Sequence, residues 1–302
     1  MTSILGVSSA ASGDHFLPDR SQYLFKAIEM EDTQRVLELA AEMSPEELKM
    51  DACGAKALFY LTLRVDEGDV LPLVEKLEAA DLGYVDPGSS ISLLNLAIER
   101  KFEELAVVLA TRSPLAALKH SPLDGGLLPL SHAIHDELKE AAWAIVQRLD
   151  TEHLGENLKQ RHSYLFLGLI RGMKDVCNHI VDRVDPKDLS ESKELPSMYA
   201  YRKLTGDWRL EITLLDKGGY DWLAWCDWML SMSLVQVVEG ANPEWLFELM
   251  QRVPEETFES HRDPVLRSVR RRLEDCFISE IEREGLLACE QLLGNNTKSA
   301  VE

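Results

Sequence analysis

No stretch of this 302-residue chain approaches 18 consecutive apolar residues, so no transmembrane helix is expected. Glycine and proline are few, at 17 and 12, which excludes collagen-like and low-complexity disordered classes. Cysteine is scarce and scattered. Cys53, Cys177, Cys226, Cys276 and Cys289 are odd in number and form no CxxC pair. That pattern argues against a disulfide framework or a zinc site, and for reduced thiols in a cytoplasmic, intracellular setting. Bases are outnumbered 32 to 52, leaving a formal net charge of -20. A field of that sign repels nucleic acid and anionic membrane and favours a partner with a basic surface. The opening MTSILGVSSAASGDHF lacks the basic start and apolar core of a Sec signal peptide. Residues 1–20 read as a flexible leader; as a non-Sec secretion segment they would deliver the protein into another cell.

Catalytic signatures are missing as well. There is no GxSxG, Gly-rich phosphate loop, HExxH or kinase motif. Acids are spread along every helical stretch, so no carboxylate pair stands out for acid–base work. No cofactor, metal or small-molecule substrate is expected.

A period is present. Similar blocks place apolar anchors at Leu24, Leu58, Leu94, Leu130, Leu165, Tyr199 and Leu234, in steps of 34, 36, 36, 35, 34 and 35. Each anchor opens a short helix. A polar break follows, as at Glu31-Asp32, Asp136-Glu137 or Arg171-Gly172, and then a second helix with apolar residues at helical spacing. About 20 residues after the anchor comes Ser44-Pro45, Ser113-Pro114 or Asp185-Pro186, a helix N-cap with proline at the first helical position. Val253-Pro254 keeps the proline without the cap. The expectation is an all-α solenoid of helix pairs over residues 21–261. C-terminal capping helices follow over 262–294 and a tail over 295–302. In the cap, Leu266, Val269, Leu273, Cys276 and Phe277 form an apolar stripe, and Arg267, Arg270, Arg271 and Arg272 cover the other face.

The pattern resembles ankyrin repeats in degenerate form. Leu128-Pro129-Leu130-Ser131-His132-Ala133 and Ser92-Leu93-Leu94-Asn95-Leu96-Ala97 approximate the family's opening Thr-Pro-Leu-His-x-Ala, and Val237 to Leu246 its middle. The resemblance implies a right-handed stack of about seven repeats. The chain departs from the family at the His position, which holds Phe25, Phe59, Asn95, Ser131 and Phe166. It also lacks most of the Gly-Ala-Asp hairpins through which ankyrin proteins often bind. Steps of 35–36 suit other helix-pair solenoids too.

Candidate site residues are few. His132 and His135, three apart beside Asp136, have metal-ligand spacing but no third ligand, and read as turn histidines. The arginines at 267–272 lie among Glu274, Asp275 and Glu280 and read as a solvated, internally paired face. Five of the six tryptophans fall between 208 and 245. Trp208 and Trp245 occupy core positions, and Trp222 and Trp225 share an apolar stripe with Met229. Trp228 lies at the edge of that stripe and is a candidate interface anchor. Trp143 stands about 140° around its helix from Leu138, and either packs on the adjacent repeat or is exposed. The expected function is a non-catalytic scaffold for a protein partner, of effector or adaptor type. The alternatives are a stoichiometric immunity-type inhibitor of a basic toxin and, more remotely, an enzyme in a divergent helical fold.

Overall fold

The computed structural model describes residues 20–122, 127–192, 208–218 and 227–295, and over them the protein is all-helical. Among the described residues no strand forms, and the extended pairing is confined to one antiparallel bridge, Val85 to Ser92. None of the described helices is long and apolar enough to cross a membrane.

The chain divides into two compact units between residues 123 and 124. The first holds α1 (Arg20–Glu29), α2 (Thr33–Glu42) and α3 (Pro45–Lys49), then α4 (Cys53–Arg64), α5 (Glu67–Lys76) and α6 (Ala79–Leu82), then α7 (Leu93–Glu99), α8 (Glu103–Arg112) and α9 (Leu115–Leu118). The first helix of each trio packs on the second, α1 on α4, α4 on α7, α2 on α5 and α5 on α8.

The second unit repeats the theme. It holds α10 (Pro129–His135), α11 (Lys139–Arg148) and α12 (Thr151–Leu158), then α13 (Tyr164–Ile170), α14 (Lys174–Arg183) and α15 (Pro186–Ser190). Then come α16 (Trp208–Gly218), α17 (Asp227–Glu239) and α18 (Pro243–Arg252), and two longer helices, α19 (Glu255–Leu273) and α20 (Glu280–Asn295). Here α10 packs on α13, α11 on α14, α14 on α16, α16 on α18, and the last two helices on each other and on α17 and α18.

The period has a physical basis. Leu24, Leu58, Leu94, Leu130, Leu165 and Leu234 are all 0% exposed. Tyr199 lies outside the described residues. Three residues after the anchor stands a small side chain at Ala27, Ala97, Ala133 and Gly168, and Val237 in the last pair. These positions carry the carbonyls that close the helix. Asp32, Phe102, Leu138, Met173 and Asn242 donate their backbone N–H to the carbonyls of Ala27, Ala97, Ala133, Gly168 and Val237, at 2.9–3.1 Å. The residue before each donor is left-handed: Glu31, Lys101, Glu137, Gly172 and Ala241 have φ of 55°, 59°, 62°, 66° and 45°. This is the Schellman closure, which saturates the orphan carbonyls of a helix end. The pair α4/α5 departs from it: the small residue is replaced by Leu61, and the chain leaves α4 extended at Val65.

A second device recurs at the end of the second helix. Lys76 Nζ donates to the carbonyls of Ala40, Ala41 and Met43 at 3.2, 2.5 and 3.2 Å. Arg112 donates to Val74 and Leu77 at 3.0 and 2.6 Å. Lys217 Nζ donates to Val181, Asp182 and Val184 at 2.5, 2.8 and 3.4 Å. In each case a cation from one helix pair caps the carbonyl end of the preceding pair, where the helix dipole is negative.

The short third helices hold two of the expected caps. Ser44 and Glu47 form a reciprocal capping box, and Asp185 accepts from Lys187 N at 2.8 Å. Ser113 does otherwise. It is fully buried, its hydroxyl donates to Leu82 O at 3.1 Å, and α9 starts only at Leu115. At the C-terminal end α19 starts at Glu255, before the expected boundary at 262. The expected stripe holds through Val269 and the partly buried Leu266 and Leu273, then fails. Because α19 stops at Leu273, the helical phase is lost, and Cys276 and Phe277 are exposed, Phe277 at 92%.

Candidate functional site

Helix α11 buries Ala141, Ala142, Ala144, Ile145 and Val146, and α14 buries Val176, Cys177, Ile180 and Val181. Those stripes set the two helices side by side and leave Trp143 on one facing His179 on the other, both half-buried. The rings meet edge to face, with centroids 5.3 Å apart and planes at 76°. Of the two alternatives for Trp143, the ring packs on the neighbouring second helix and is half-buried, not exposed. Around the two rings lies a groove of about 590 Å³, with Lys139 and Glu140 on one wall and Lys174, Asp175 and Asp182 on the other.

The electrostatics follow from spacing. Asp175, His179 and Asp182 stand at i, i+4 and i+7, one row of α14. Glu140 and Trp143, three apart, face them from α11. Lys139 and Lys174 are the first residues of their helices and sit at one end of the groove. Arg183 donates to His179 Nε2 at 3.3 Å, which makes that nitrogen the acceptor of a neutral imidazole. Burial, and then the Arg183 guanidinium, hold His179 below its ordinary value against the opposing pull of Asp182.

Arg183 occupies the place in α14 that Lys76, Arg112 and Lys217 occupy in their helices, spaced 34–36 residues apart along the chain. Those three clamp carbonyls of the preceding pair, whereas Arg183 donates to His179, inside its own helix.

Trp228, the other candidate, belongs to α17 by its backbone, but its side chain lies outside the described residues, as do Trp222, Trp225 and Cys226. Seven and ten residues on, Val235 and Val238 line a second cleft of about 530 Å³ with Ser268, Arg271 and Arg272 of α19, and together with Ser231 they line a smaller one against Pro264, Val265 and Ser268. Trp245 is buried at 8% exposure and Trp208 packs against the same core, so both are core residues. His132 and His135 both turn to Asp136, at 3.5 and 2.9 Å. Among the described residues no group of three or more His, Cys, Asp or Glu is arranged to hold a metal ion. In the arginine cluster, Arg270 pairs with Glu290 at 2.7 Å and Arg272 with Asp275 at 2.9 Å.

Sequence reasoning missed the clamp cations and the Asp175–His179–Asp182 row. The first had a readable signal: Lys76, Arg112, Arg148, Arg183, Lys217 and Arg252 each lie 18 residues after an anchor. No protein-family model, curated protein or solved structure matches this chain.

Proposed function

We propose that the protein is a helix-pair solenoid of ankyrin-like type, about seven repeats with a C-terminal helical cap, which serves as a non-catalytic scaffold for a protein partner with a basic surface. The groove at Trp143 carries this reading. A half-buried tryptophan in a cleft between two packed helices, lined by Glu140, Asp175 and Asp182 and also by Lys139 and Lys174, suits an interface anchor. The formal charge of -20 supplies the long-range attraction that speeds encounter with a cationic protein. The buried anchors at a period of 34–36 residues and the recurring Schellman turns support the repeat architecture, in which each helix pair would cover the apolar face of the next.

The test is recovery of the natural partner by in-cell cross-linking to the full chain, followed by reconstitution from the two purified proteins. The reading expects a partner of basic isoelectric point and an association rate that falls steeply as salt rises from 50 to 500 mM, as for screened charges. An acidic partner, or a rate indifferent to salt, would overturn it.

A further inference from the structure

We draw no further inference here: the strongest candidate, the surface patch of Phe277 and Ile281 where α19 turns into α20, 92% and 83% exposed, is an unpartnered apolar face among arginines and carboxylates of both signs, and nothing in the structure shows what covers it.

Discussion

Gly168 of α13 and Cys177 of α14 lie so close that a β-carbon on the glycine would stand 2.8 Å from the cysteine Sγ. The corresponding positions in the two preceding helix pairs are Ala97 with Ala106 and Ala133 with Ala142, all 0% exposed. The space between first and second helix is thus shared: Gly with Cys in one pair, Ala with Ala in two others.

Gly168→Ala alone should overpack this contact and destabilise the protein by about 1–3 kcal/mol. Cys177→Ala alone should leave a small void. The double variant recreates the Ala–Ala arrangement and should recover most of the loss, giving a coupling of about 1 kcal/mol or more in a denaturant-based double-mutant cycle. Strictly additive effects would show that the two residues do not share the space.

The carbonyl clamps give a second expectation. Lys76→Met and Lys217→Met keep the aliphatic stems and remove the ammonium. Each should cost about 1 kcal/mol, the scale of a partly exposed, charge-assisted capping contact. Amide exchange in the preceding second helices, α2 and α14, should accelerate with the corresponding variant. Unchanged exchange there would mean the clamps are incidental.

Left-handed turn residues give a third. Lys101 has φ 59° and carries the steric cost of a side chain in that region, whereas Gly172 in the same place has φ 66° at little cost. Lys101→Gly should therefore stabilise by about 0.5–1 kcal/mol and Gly172→Ala destabilise by about 1 kcal/mol. Equal and small shifts in thermal midpoint for both would contradict the assignment.

His179 sets a pH dependence. Its value is lowered in the folded protein, chiefly by burial, so the folded state holds its proton less readily than the unfolded chain. The stabilising contribution is complete above the ordinary histidine value of about 6.5 and is lost as pH falls through the lowered one. An imidazole titration by NMR should place the midpoint below 6.5, and His179→Phe should flatten the loss of stability on acidification. A midpoint at or above the ordinary value would count against this.

Much of the helical layout was legible in the apolar anchors, because the buried leucines from Leu24 to Leu165 recur every 34–36 residues and leave a period that needs no structure to see. The turns were less legible. A left-handed residue normally announces itself as glycine, but four of the five here are Glu31, Lys101, Glu137 and Ala241, held in place by the backbone bonds of the closure. The Trp143 groove was half legible. Helical angle put the indole off the core stripe, yet its partner His179 lies 36 residues away, and nothing local links the two. Phe277 was misread because hydrophobic spacing cannot tell where α19 stops; the stripe ran on in sequence after the helix had ended at Leu273.

The carbonyl clamps also bear on how the chain acquires its shape. Each joins residues 33–38 apart in sequence. That is about a tenth of the chain, and short-range closure of this kind is kinetically undemanding. A ribosome adding about 5–20 residues per second would deliver the partner of each clamped helix within about 2–7 seconds. Within each unit a newly made helix pair therefore waits only for its successor, and its apolar face is covered long before synthesis is complete.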